Sequence, residues 1–188
     1  MKLQQQEVTI FFNNWLRLLA FVNDKYKLLK KFGHPKSPLG VQVEDIVKLK
    51  KKLWENAGII DEYIDSVREL PQSDIQLVKG WKNKIEGSFI LVRHQRNYSV
   101  FLDDANDVLY GVHGITDSIA ESIPAEALPI MVETVLLPFG DRIIYDSTFI
   151  MKNIQFGPNM RRGYRERYSE IKETKGIIST LSSAGMPA

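Results

Sequence analysis

Apolar positions in the first part of the chain recur at steps of three and four. Ile10, Phe11, Trp15, Leu18, Leu19 and Val22 share one face, which predicts an amphipathic helix. Lys25, Lys27, Lys30 and Lys31 follow, and Gly33 is placed to cap this helix ahead of Pro35 and Pro38. His34 to Gly40 then reads as a connector. A second helix, from Val43 to Asn56, carries Ile46, Leu49, Leu53 and Trp54 on one stripe. A third, over 59–70, carries Ile60, Tyr63, Ile64 and Val67 and stops at Pro71. Ser73, with Gln76 three residues on, has the form of a capping box for a fourth helix bearing Ile75, Val78 and Trp81.

At Gly87 the period changes to that of extended chain. Segments 88–93, 98–102, 108–112, 132–138 and 142–146 are rich in β-branched and aromatic residues, and 149–154 extends the series. Turn chemistry separates them: Asp103 to Asp107 after the second strand, and Gly140-Asp141 between the fourth and fifth. A short helical piece is expected from Asp117 to Ser122. A final helix over 159–181 places Tyr164, Tyr168, Ile171, Ile178 and Leu181 on a buried stripe, with Ser182 to Ala188 fraying beyond it. The fold class is therefore α+β: N-terminal helices packed with a mostly antiparallel meander of five or six strands, as a sheet or small barrel, and a C-terminal helix. Residues 1–70 form a helical region and 71–188 an α+β region, as one compact unit or two.

Composition narrows the picture. A chain of 188 residues with 44% hydrophobic and 26% charged positions is globular, and neither its hydrophobicity nor its charge is that of a disordered segment. No apolar run approaches a bilayer span, so no membrane partner is expected. The polar start, Met1-Lys2-Leu3-Gln4, is not that of a signal peptide. Absence of cysteine excludes disulfides, thiol nucleophiles and thiolate zinc sites, and fits a cytoplasmic location. The net charge of +2 hides an uneven distribution. Residues 1–56 hold 11 Lys/Arg against 5 Asp/Glu, 57–155 hold 8 against 15, and 156–188 hold 6 against 3. Basic and acidic segments either neutralise each other within the fold or present a basic surface to an acidic partner.

Candidate chemistry is sparse. His94 and His113 end two neighbouring predicted strands, and Asp103, Asp117 or Asp146 would supply a third ligand for a metal; the plainer reading is polar residues at a sheet rim. Ser99 lies near His94, and Asp146-Ser147 near His113, so a hydrolase-type site around His94, His113 and Asp146 is the alternative to a non-enzymatic binding role. There is no Gly-x-Ser-x-Gly elbow and no nucleotide-binding glycine fingerprint, and no cofactor or metal is expected. The densest charge is on the last helix, where Arg161, Arg162, Arg165 and Arg167 interleave with Tyr164 and Tyr168. Guanidinium groups pair with phosphates and tyrosine rings stack on bases, so these six are the candidate nucleic-acid contacts. Glu166, Glu170 and Glu173, or the acidic middle segment, would otherwise absorb the arginines. Lys48 and Lys50 to Lys52 wrap their helix and read as a solvated surface.

The stretch Leu77 to Leu181 resembles a family of bacterial proteins of uncharacterised activity. The matching pieces include Leu77-Val78-Lys79-Gly80-Trp81-Lys82, Arg93-His94, Tyr110-Gly111-Val112 and, most distinctively, Leu136-Leu137-Pro138-Phe139-Gly140-Asp141-Arg142-Ile143-Ile144-Tyr145-Asp146. The resemblance implies no activity. Some similar proteins end in a small cysteine-rich zinc-binding tail, which this chain lacks. The expected partner is nucleic acid or protein. Phe11, Phe12, Trp15 and Phe21 also crowd the first helix enough to support self-association.

Overall fold

The computed structural model describes residues 1–33, 39–67 and 69–181. Most of the expected connector, His34 to Pro38, and the expected fraying of Ser182 to Ala188 lie outside the described residues. The chain divides into two compact units. One is Gln4–Lys82; the other is Asn83–Ala188 together with Met1–Leu3.

The first unit is helical: α1 (Gln5–Tyr26), α2 (Val43–Glu55), α3 (Ile59–Ser66) and α4 (Gln72–Gly80). The apolar stripe of α1 is buried except at Ile10, which is exposed; Phe11, Trp15, Leu18, Leu19 and Val22 are fully enclosed. Trp15 lies 5.9 Å from Trp54 and 5.7 Å from Trp81 between ring centroids, and Phe11 lies 5.8 Å from Trp81. Phe12 packs edge-on to Phe11, and Phe21 packs on Tyr63. Phe12 and Phe21 are half-buried and keep these ring contacts within their own unit.

Three local expectations are corrected. Helix α1 ends at Tyr26, not at Gly33: Lys27 takes a left-handed conformation (φ 51°) and donates its N–H to Asn23 O. The Asn23 amide then clamps the next residues, donating to Leu29 O and accepting from Leu29 N–H. The Ser73 capping box does not form. Pro71 occupies the cap position, the Ser73 hydroxyl donates to Asp74, and Asp74 accepts from Asn14 of α1 at 3.0 Å. The lysine run is not uniformly solvated either. Lys50 is buried, Lys48 donates to Leu28 O, and Lys52 pairs with Glu55 while lying over the Tyr26 ring.

The second unit holds six strands: β1 (Ile85–His94), β2 (Ser99–Asp103), β3 (Val108–Val112), β4 (Ile130–Phe139), β5 (Arg142–Tyr145) and β6 (Ile150–Met151). Two helices accompany them, α5 (Ile119–Ser122) between β3 and β4, and α6 (Pro158–Thr174) at the C-terminal end. The strand order is β1-β2-β3-β5-β4, and β4 pairs back onto β1, which closes a barrel. The meander expectation is corrected here. The strands β3 and β5 are parallel, joined only at Val112 and Ile143, because the chain crosses from β3 through α5 to β4 before β5 fills the remaining gap. The result is a closed five-stranded barrel of mixed pairing with α5 between β3 and β4, similar in outline to the five-stranded Greek-key OB barrel.

Strand β1 makes closure possible. Its first half, Ile85 to Leu91, pairs with β4; its second half, Ile90 to His94, pairs with β2. An irregularity between Leu91 and Arg93 supplies the local coil. Phe89, Leu91, Phe101, Val112, Val132, Leu136 and Ile143 fill the interior. The alternate residues of β1 to β3, namely Ile90, Val100, Leu102 and Leu109, face outward, yet each is at most 1% exposed. Phe156, Tyr168 and Ile171 cover them. Helix α6 therefore turns the outer face of β1–β3 into a second core.

Past α6 the chain continues the closure. Ile178 N–H donates to Leu109 O, and Gly111 N–H donates to Ile178 O, both at 2.8 Å, so this segment occupies the stretch of β3 edge that β5 leaves unpaired. Helix α6 accordingly ends at Thr174 rather than at Leu181. At the other terminus Met1–Leu3 runs along Gly114, with Leu3 buried. Gly114 is obligatory: a Cβ there would fall 1.9 Å from Asp117 O.

Candidate functional site

Helix α6 starts at Pro158, whose fixed φ suits a first-turn position, and follows Gly157. Its four arginines have different fates. Arg167 donates from Nε (2.9 Å) and Nη2 (2.6 Å) to Asp107 Oδ1, and from Nη2 (2.7 Å) to Asp104 O. Its Nη1 also lies 3.0 Å from Asp104 Oδ1, so the β2–β3 turn consumes this side chain. Arg161 donates from Nε to Phe156 O at 3.0 Å and from Nη1 to Leu128 O at 2.9 Å, tying the approach to β4 to the start of α6. Arg162 is exposed, with Glu166 at 3.8 Å. Arg165 is exposed and lines a cleft.

That cleft is one of the concavities beside α6 on the barrel unit; another, of about 450 Å³, is lined by Asp107, Glu166, Arg167 and Glu170 and so carries carboxylates. The Arg165 cleft has a volume of about 380 Å³ and lies between the end of β1 (Val92, Arg93, His94), the segment before β4 (Ala125, Leu128, Pro129) and α6 (Tyr164, Arg165, Tyr168, Ser169). Its lining carries two guanidinium groups and no carboxylate. Three of the six expected nucleic-acid contacts, Tyr164, Arg165 and Tyr168, lie here.

The two tyrosines differ. Tyr168 is buried, its hydroxyl accepts from Gln95 Nε2 at 2.9 Å, and Arg93 lies 5.8 Å from its ring centroid. Its ring is committed to joining β1 and α6 and offers no face to a base. Tyr164 is half-buried and held edge-on by Phe156 at 5.2 Å. Burial pushes its phenol pKa upward, so it stays a neutral ring at ordinary pH.

His94 also lines the cleft, but as a wall. Its Nε2 lies 2.8 Å from Ile123 O, a pure acceptor, so Nε2 carries the proton. Its Nδ1, at 2.7 Å, then accepts from the Ser99 hydroxyl. Burial lowers the His94 pKa, and the neutral ring satisfies both partners. This resembles a nucleophile–base pair only in its atoms. Ser99 is 4% exposed and is not part of the cleft lining, so its oxygen is held behind the histidine where no substrate reaches it.

The trio His94, His113 and Asp146 does not converge. His94 shares the inward face with its cross-strand partner Ser99. His113 lies one position past Val112, opposite Tyr98, and meets that ring at 6.2 Å on the outer side. Asp146 is fully buried beside Thr134, which pairs with Gly87; His94 is seven residues further along β1, about 23 Å of strand from Gly87. Among the described residues no three His, Cys, Asp or Glu side chains are grouped to hold a metal.

Sequence reasoning missed Arg93, Leu128 and Pro129. Arg93 had a signal: it is the one Lys or Arg in β1 and directly follows the apolar run Phe89 to Val92. Leu128 and Pro129 had none, because they meet α6 only through the barrel's closure.

No protein-family model, curated protein or solved structure matches this chain. Its function is therefore argued from the site.

Proposed function

We propose that the chain is a non-catalytic binding module that takes single-stranded nucleic acid in the cleft between β1, the approach to β4 and α6. The observation that carries this reading is the lining itself: Arg93 and Arg165, the ring of Tyr164, an apolar floor, and no carboxylate. Single strands are held elsewhere by the same combination of cations that track phosphates and rings that stack bases.

The barrel topology supports the reading by analogy only. OB barrels bind oligonucleotides across the β2–β3 face and adjoining loops. Here that face is occupied. Uncovering four aliphatic side chains that are at most 1% exposed would cost about 1.5–3 kcal/mol each, so α6 is a fixture and not a lid. Binding is displaced to the edge of α6, beside the β1–β2 loop with Arg96 and Asn97 exposed on it.

The test is fluorescence anisotropy with a labelled single-stranded oligonucleotide at low salt, against the same sequence as a duplex. Binding of the single strand, lost on Arg165→Glu, is expected. No binding of either at low salt removes the reading and leaves a protein partner for this surface.

A further inference from the structure

Resting on that reading of the cleft, we infer that its occupant is one nucleoside monophosphate unit, held with little preference among bases. The first argument is capacity. A cavity of about 150 Å³ takes a benzene ring, and small-molecule sites begin near 300 Å³. A cleft of about 380 Å³ takes one base with its sugar and leaves no room for a second stacked base.

The second argument is the inventory of polar groups. Base identity is read by donors and acceptors aimed at the base edge. Val92, Ala125, Leu128 and Pro129 have none on their side chains. Both ring nitrogens of His94 are engaged, by Ser99 and by Ile123 O. The Tyr168 hydroxyl accepts from Gln95, and the Ser169 hydroxyl donates back to Arg165 O. What remains, beside the two guanidinium groups assigned to phosphate and the Tyr164 hydroxyl, is shape and a ring face, which every base satisfies.

The third argument is charge placement. Arg93 comes from β1 and Arg165 from α6, and both are exposed while lining the same cleft. A phosphate at its mouth therefore meets donors from two elements, and guanidinium–phosphate pairing is the strong form of that contact. A free nucleotide and one unit of a strand offer the same chemistry.

The experiment is displacement of a fluorescein-labelled twelve-residue oligothymidylate by adenosine 5′-monophosphate, uridine 5′-monophosphate, adenosine and inorganic phosphate. Direct titration of the monophosphates is followed in parallel by the Tyr164 ring resonances. Both monophosphates should displace the tracer at concentrations within about tenfold of each other, with adenosine and phosphate each weaker by about tenfold or more. Arg165→Glu should abolish the tracer and monophosphate signals together, and because Arg165 makes no side-chain contact in the fold interior, the variant should fold.

If the tracer binds and saturating monophosphate neither displaces it nor shifts Tyr164, the one-unit inference is overturned while the nucleic-acid reading stands. If the monophosphates bind and no oligonucleotide does, the inference stands for a free nucleotide and the nucleic-acid reading falls. Binding of neither overturns both.

Discussion

The Arg93 guanidinium lies 5.8 Å from the centroid of the Tyr168 ring, and this pair joins the end of β1 to the middle of α6. Arg93 is exposed and Tyr168 is buried, so the two contribute differently. Arg93→Ala should weaken ligand binding and cost about 0.5–1 kcal/mol of stability, the usual worth of an exposed cation–π contact. Tyr168→Ala should cost about 3–5 kcal/mol, because it opens the core under α6 and removes the partner of Gln95. Chemical denaturation of both variants checks this; equal destabilisation would contradict the assignment of Tyr168 to the core.

Arg167 docks α6 on the Asp103–Asp107 turn. The groups are more than a third exposed, so solvent screening limits the pair. Arg167→Ala should cost about 1 kcal/mol, and Arg167→Lys should not restore it, because one ammonium cannot make the fork of contacts to Asp107 and Asp104 O. Oligonucleotide affinity should be unchanged, since this side chain is already occupied. A large loss of binding with intact stability would return Arg167 to the interface.

His94 gives the fold a pH dependence of definite sign. Burial lowers its pKa in the folded protein below the unfolded value of about 6.5. The folded state therefore prefers the neutral ring. The stability this contributes is present above about pH 6.5 and is lost as pH falls from there through the folded value. Thermal melts from pH 7.5 to 5 should show falling stability, and His94→Gln should flatten that slope while lowering stability at pH 7.5. A His94→Gln profile parallel to the parent would show that other groups set it. Ser99→Ala should cost about 1–3 kcal/mol by leaving buried Nδ1 without a donor.

Gly114 is where the N-terminal residues meet the barrel. Gly114→Ala places a Cβ against Asp117 O, a backbone atom that cannot yield as a side chain would. A cost toward the upper end of the about 1–3 kcal/mol of overpacked sites is expected, with loss of Leu3 burial. Amide exchange at Leu3 and Gly114, whose N–H groups bond to Gly114 O and Met1 O, reports it directly.

Much of this fold was legible because its signals are local. The strand Val108–Val112 follows from its own composition and the Asp103–Asp107 turn before it, and the β4–β5 hairpin follows from Gly140, whose φ of 59° suits glycine. The parallel pairing of Val112 with Ile143 was not legible, since nothing near either residue records that α5 and β4 intervene. Runs such as Phe89-Ile90-Leu91 and Val100-Phe101-Leu102 lack alternation because both sheet faces are buried, but no run names what buries the second face. The arginines of α6 show the same limit. Arg161, Arg165 and Arg167 are one residue type on one helix, and whether each meets a carbonyl, solvent or a carboxylate depends on loops 30 to 60 residues earlier. The left-handed stop at Lys27 was hidden because a lysine gives no warning of it; the Asn23 clamp on Leu29 compensates.

The salt dependence of single-strand binding tests the account most directly. Each phosphate contact contributes about −0.7 to the slope of log K against log salt for a single strand. Because Arg93 and Arg165 meet the same phosphate, the parent slope should fall in magnitude in Arg93→Ala and in Arg165→Ala, and by about that amount in the double variant. It should be unmoved in Arg167→Ala. A slope that ignores Arg93 and Arg165, or that falls equally for Arg167, would place the ligand somewhere other than the cleft.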